Sequence, residues 1–259
     1  MVPASSLITI SICAILGIAA PFLLSLWLVK KYSVRVRTIL IGAGVFVVFA
    51  LILETIMHQI VLKGPMGPSI TGNIWLYALY GGLAAGIFEE TGRFLAMKFL
   101  LKDEPQGAKT ALAYGVGHGG AEILIIFGIS MISNLVISAL INSGQTDIIL
   151  SSSPSEAKAQ LQGAFAELEA SSPGTFLTGL WERVSAIALQ LGLSVMVWTA
   201  VRKGGPWLWL FPAAILLHFI VDASAVLLMK SVSIVALETI VSAMAVAVGA
   251  AALMLAKKL

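Results

Sequence analysis

The chain has 259 residues, of which 59% are hydrophobic and only 11% charged. Its mean hydropathy is +0.99. A water-soluble domain carries about 25% charged residues, and 16 basic plus 13 acidic side chains cannot coat a soluble fold of this length. The composition therefore describes an all-α polytopic membrane protein. It excludes a nucleic-acid binder, a secreted disulfide scaffold and a cytosolic enzyme. The net charge of +3 resides in loop lysines and arginines, which report topology in this class. The single cysteine, Cys13, cannot form an intrachain disulfide.

A membrane span needs about 20 mostly apolar residues. Seven stretches qualify, roughly 5–29, 37–62, 73–101, 109–142, 175–201, 206–229 and 232–256. The first lacks a basic n-region and its apolar run is too long for a cleavable signal, so it reads as a retained span. The fourth is long enough to tilt, kink or project past the bilayer. The whole chain, 1–259, reads as one transmembrane domain.

Basic residues set the expected orientation. Lys30, Lys31, Arg35 and Arg37 fall in the first connection, Lys102 and Lys109 in the third, and Arg202 and Lys203 in the fifth. Lys257 and Lys258 follow the last span, whereas only Lys63, Lys158 and Lys230 lie on the other side. This asymmetry predicts a multi-pass protein of the cell membrane with its N-terminus outside and its C-terminus cytoplasmic.

The one long polar connection, 143–174, is then extracytoplasmic. Ser153-Pro154-Ser155-Glu156 has the pattern of a capping box. Ala157, Leu161, Ala164, Phe165 and Leu168 follow on one helical stripe. The stripe predicts a short amphipathic helix, lying either on the outer membrane surface or packed on the bundle.

Ionisable groups inside the spans carry the functional information. Glu54, Glu89, Glu90, Glu122, Glu182, Asp222 and Glu238 all fall there, as do His58, His118, His218, Arg93, Lys98 and Arg183. Each costs about 2.5–3.5 kcal/mol to insert near the bilayer centre, so a polar functional cavity is expected. Three clusters have helical spacing: Glu89-Glu90-x-x-Arg93, His118-x-x-x-Glu122 and His218-x-x-x-Asp222. Glu89 and Glu90 are both within reach of Arg93. All three clusters lie near mid-span, and glycines such as Gly82, Gly86, Gly117 and Gly119 permit close helix approach around them. Glu54 with His58, and Glu182 with Arg183, form a second layer nearer the outer face that reads as structural ion pairing. Lys98 reads as snorkelling to the interface, and Glu238 stands alone.

The ordered set resembles the intramembrane protease superfamily that includes CAAX prenyl endopeptidases, the Abi (CPBP) proteins and PrsW. Gly117 to Glu122, Gly-His-Gly-Gly-Ala-Glu, is similar to the signature of its YhfC branch. The resemblance covers roughly 73–229. It implies an all-helical membrane enzyme, an intramembrane endopeptidase whose substrate is a membrane protein or peptide. Glu122 is a PrsW-like choice where the CAAX enzymes carry histidine. Related YhfC-like proteins tend to have a histidine where Gln190 stands here.

Hydrolysis in a membrane needs an activated water, an oxyanion donor and an acid for the leaving amine. A carboxylate in a low-dielectric site can take and return a proton near neutral pH. Glu89 or Glu90, with Glu122, is expected to hold and deprotonate the water, while Arg93 keeps one glutamate ionised. His218, oriented by Asp222, is expected to stabilise the oxyanion, and His118 to donate to the leaving group. No cofactor is required by this glutamate-type chemistry. The alternative is a zinc metalloprotease with His118, Glu122 and His218 as ligands, although the helical His-Glu-x-x-His pattern is absent. Non-proteolytic readings are an ion- or proton-coupled carrier, an acyltransferase and a signalling scaffold. The sequence does not define the oligomeric state.

Overall fold

The computed structural model describes residues 1–259, and of these only the Glu156 side chain lies outside the described residues. The capping-box contact expected of Glu156 therefore lies outside them too. The fold is helical throughout, with no strand among the described residues. In chain order the helices are α1 (Ala4–Tyr32), α2 (Val36–Leu62), α3 (Gly67–Thr71) and α4 (Ile74–Leu95), the last prolonged by a wide turn over Ala96–Leu100. There follow α5 (Ala108–Asn142), α6 (Thr146–Ser152), α7 (Ser155–Ala170), α8 (Pro173–Lys203), α9 (Gly205–Leu228) and α10 (Ile234–Ala256).

Six of these, α1, α2, α5, α8, α9 and α10, are both long and apolar enough to cross a membrane. The expected third span, 73–101, is helical and has the length. Glu89, Glu90, Arg93 and Lys98 lower its apolarity below that of the other six, so the count of seven is not established. The outward faces carry exposed apolar side chains, among them Phe22, Leu40, Ile60 and Leu253. In water such a surface aggregates; in a bilayer it is the lipid-facing surface of a multi-pass membrane protein.

The residues group into two compact units. The first comprises Met1–Ala20 and Ile123–Trp181. Its core gathers Val2, Ile10, Cys13, Phe127, Met131 and Phe176, and α7 contributes Phe165 and Leu168 to it. The amphipathic stripe of 157–168 thus packs on helices of this unit through Leu161, Phe165 and Leu168, while Ala164 is exposed. Asn142 ties the amino terminus down, accepting from Val2 N at 2.7 Å and donating to Val2 O at 3.0 Å.

The second unit comprises Pro21–Glu122 and Glu182–Leu259. Its core is built on Tyr114, Leu193, Val197, Trp198, Ala214 and Val248. Two close approaches set its geometry. A Cβ on Gly117 would lie 1.9 Å from Ile39 O, so only glycine lets α5 meet α2 there. A Cβ on Gly86 would lie 2.8 Å from Ile215 O, so α4 meets α9 one turn before Glu90 and one turn before His218. The caps are local in origin. Asn73 accepts from Trp75 N at 2.9 Å to start α4, and Ser233 accepts from Ala236 N at 3.3 Å to start α10. At the opposite end from the α9–α10 connection, Arg202 lies over the Trp198 ring at 4.1 Å. It donates to the carbonyls of Leu101, Lys102 and Glu104 at 2.7–2.8 Å.

Candidate active site

Every site residue discussed below belongs to the second unit. Glu89, Glu90 and Arg93 are on the last turns of α4, and His118 and Glu122 are at the middle of α5. Glu182, Arg183 and Gln190 lie along α8, and His218 and Asp222 on α9. Their side chains form one continuous network.

Arg93 is fully buried and donates to both carboxylate oxygens of Glu90 and to Gln190 Oε1. Its helical partner is thus Glu90 at i,i+3, and the i,i+4 pairing with Glu89 that the spacing also allowed is not made. Glu90 additionally meets His218 Nδ1 at 2.9 Å. With the guanidinium on both oxygens and the imidazole on one, both oxygens of Glu90 have a donor. The far nitrogen of His218, Nε2, faces Asp222 at 3.5 Å.

Glu89 turns the other way. His118 Nε2 bonds Glu89 Oε2 at 2.8 Å, and Gln190 Nε2 donates to that same oxygen at 2.9 Å. The Gln190 amide also donates to Glu122 Oε2 at 3.1 Å. Arg183 donates to Glu122 Oε1 at 3.0 Å and to Glu182. His118 is wholly buried, edge-on to Phe46 with ring centroids 5.3 Å apart and stacked on Tyr114 at 6.0 Å.

These groups close one end of a cavity of about 490 Å³. Glu89, Glu122, Arg183, Gln190, His218 and Asp222 line it; Glu90, Arg93 and His118 stand behind them. Leu189, Val221, Ala225, Leu237, Val241 and Ala245 make its other walls apolar. The cavity occupies one half of the helices. On α9 it runs from His218 to Met229 and on α10 from Ile234 to Ala245, so it extends roughly 16 Å towards the α9–α10 connection.

His118 and Glu122, one turn apart on α5, each reach across to a different helix. The geometry revises two expectations. Arg183, expected with Glu182 in a separate layer, joins the main network through Glu122. Glu238, left alone by the sequence, lines the cavity. Glu54 and His58 do form their own pair at 3.2 Å, extended by a 2.7 Å contact from His58 Nδ1 to Tyr80 Oη. None of these three lines the cavity. Wide π-type turns adjoin two of the acids, over Phe46–Glu54 and Ile123–Gly128, immediately after Glu122. Such turns recur at functional sites because they re-aim side chains. Gln190 joins Glu89, Glu122 and Arg93. The sequence marked it only as standing where related YhfC-like proteins tend to have histidine, and gave it no role in the site.

A helical membrane protein with a carboxylate, imidazole and guanidinium network at the closed end of an apolar cavity has the equipment of an intramembrane hydrolase. The model of the family described as YhfC intramembrane metalloprotease matches residues 15–248, and the chain belongs to that family. It is also 35% identical over 233 residues to "Uncharacterized membrane protein YhfC" of Bacillus subtilis (strain 168), covering 90% of this chain and 88% of that relative. No solved structure matches the chain.

The family description implies a metal, and the donor set contains suitable imidazoles and carboxylates. Their arrangement here does not fit one. Among the described residues no three His, Cys, Asp or Glu side chains group as ligands. His118 Nε2 meets Glu89 and His218 Nδ1 meets Glu90. His118 Nδ1, without a hydrogen-bond partner among the described residues, lies behind the cavity wall, apart from His218 and Glu122.

Proposed function

We propose that this chain is an intramembrane protease that hydrolyses a peptide bond in a membrane protein or peptide. One observation carries the reading: a single amide, Gln190 Nε2, tethers the carboxylates of Glu89 and Glu122 side by side on the cavity wall. Two carboxylates so held can share a water between them. One takes its proton as the oxygen attacks the carbonyl carbon, and the C=O electron pair moves onto the carbonyl oxygen. His218, held at Nδ1 by Glu90, presents Nε2 to the cavity and donates to that oxyanion. The C–N bond then breaks, and the proton held by the glutamate passes to the leaving amine.

Glu90 and Arg93 act as positioning residues, because they reach the cavity only through His218 and Gln190. His118 has the same role towards Glu89: buried behind it, His118 fixes the carboxylate rather than serving the leaving group.

The full reading includes seven spans, with α4 as the third, an outside N-terminus and a cytoplasmic C-terminus. The cavity then occupies the extracytoplasmic half of the bilayer. The wider grouping with CAAX prenyl endopeptidases and PrsW rests on motif order. E89Q, E122Q and H218A test the proposal: each variant is expected to lose cleavage while remaining monodisperse. Full activity in all three contradicts it.

A second reading follows from the family description. Zinc held by His118, Glu122 and His218 would supply a Lewis acid for the carbonyl and a more acidic water. It requires His118, which stands behind the cavity wall, to come together with Glu122 and His218, since no three such groups cluster as ligands among the described residues.

A further inference from the structure

Five carboxylates line the cavity: Glu89, Glu122, Glu182, Asp222 and Glu238. Only Arg183 and His218 oppose them as cationic or potentially cationic groups. Four of the five have a donor. Glu89 has His118 and Gln190, Glu122 has Gln190 and Arg183, Glu182 has Arg183, and Asp222 has His218. Glu238 differs. It is only 5% exposed, and its Oε2 has no hydrogen-bond partner among the described residues. Its surroundings on α10 are Ile234, Leu237 and Val241, all apolar and all on the same wall.

A buried carboxylate oxygen without a donor is costly wherever it lies. Glu238 lines the cavity although Oε2 has almost no accessible surface, so a turn of the carboxylate about its own bond lets a ligand complete that acceptor. The position is fixed rather than incidental. Ser233 caps the start of α10 one turn before Glu238, and Ser242, one turn after it, hydrogen-bonds Ser185 of α8 at 2.7 Å. The excess of carboxylates favours a cation, and the apolar walls demand that it arrive on an apolar carrier.

We infer that Glu238 is the specificity residue for the substrate, receiving an ammonium group carried by an otherwise apolar peptide segment, from a lysine side chain or from a free amino terminus. This deepens the proposed protease reading and rests on the same cavity. The ammonium draws the Glu238 carboxylate round so that Oε2 gains its donor, while the flanking apolar residues contact Leu237, Val241 and Val221. The peptide backbone then runs along α9 towards His218 and the paired glutamates.

The test is a binding measurement on the full-length protein in nanodiscs, so that it does not depend on catalysis. The probes are fluorescent alanine–leucine peptides of one length in three forms: N-acetylated with one lysine, free at the N-terminus with norleucine, and N-acetylated with norleucine. At least one ammonium-bearing peptide is expected to bind about tenfold more tightly than the uncharged one. E238Q is expected to erase that preference, E238D to keep part of it, and thermal melting of both variants to match wild type. The first two peptides separate lysine from amino terminus as the source. Equal binding of all three peptides, no binding of any, or a preference that survives E238Q overturns the inference. Preferential binding with no hydrolysis counts instead against the protease reading.

Discussion

Gln190 donates its side-chain amide to Glu89 Oε2 at 2.9 Å, joining the fifth expected span to the third at the closed end of the cavity. The second contact of the same nitrogen, 3.1 Å to Glu122, makes it the spacer between the two proposed water-holding carboxylates. In Q190L both acids lose the donor they share, and His118 on Glu89 and Arg183 on Glu122 then hold them separately with nothing to space them. Cleavage is expected to fall by about 10²–10³ in kcat, the scale of losing one preorganised donor, with little change in KM. Steady-state kinetics on one reporter peptide checks this; a loss confined to KM contradicts it.

Arg93 and Glu90 are fully buried and bonded to each other. Removing one partner strands the other, a loss of about 3–5 kcal/mol, whereas replacing both by apolar residues can recover much of it. R93M is therefore expected to lower the thermal midpoint in detergent sharply, and R93M/E90M to be the more stable of the two. Both are expected to be inactive: the single variant leaves Glu90 and the Gln190 amide without the guanidinium that holds them, and the double variant also removes the Nδ1 partner of His218. A single variant as stable as wild type contradicts the pairing.

Much of this was legible in the sequence, and the part that was not has physical reasons. Apolar run lengths located the helices, because a bilayer fixes how many residues each needs. They leave 73–101 open as a span, because Glu89, Glu90, Arg93 and Lys98 sit in a helix the network requires to be polar. Spacing of three and four residues revealed the local pairs Glu90–Arg93, Glu54–His58 and His218–Asp222. It did not reveal Arg183 with Glu122 or His118 with Glu89, whose partners come from other helices. Gln190 is uncharged and stood out only as a departure from its relatives' pattern. Its three partners lie far away in sequence, and only the packing of α4, α5 and α8 brings them to one amide.

Glu54, His58 and Tyr80 form a cluster that does not line the cavity. H58A removes one modest, partly buried pair, a contribution of about 1 kcal/mol or less. It is expected to lower the thermal midpoint by a few degrees and to leave the cleavage rate within about twofold. A large rate loss with unchanged stability would draw this cluster into the mechanism.

The metal question has a direct readout. Elemental analysis of the purified protein, with cleavage measured before and after chelation, separates the two readings. Carboxylate-activated water predicts that hydrolysis survives chelation. Stoichiometric zinc, lost together with activity and restored with it, assigns His118, Glu122 and His218 as ligands instead.

The most direct measurement follows peptide bonds themselves. Purified wild type, E89Q and E122Q are co-reconstituted in liposomes with total bacterial membrane protein, and new peptide N-termini are counted by mass spectrometry. The account predicts new termini within apolar segments for wild type and their absence in both variants. The same termini in all three samples, or none with folded wild type, contradict it.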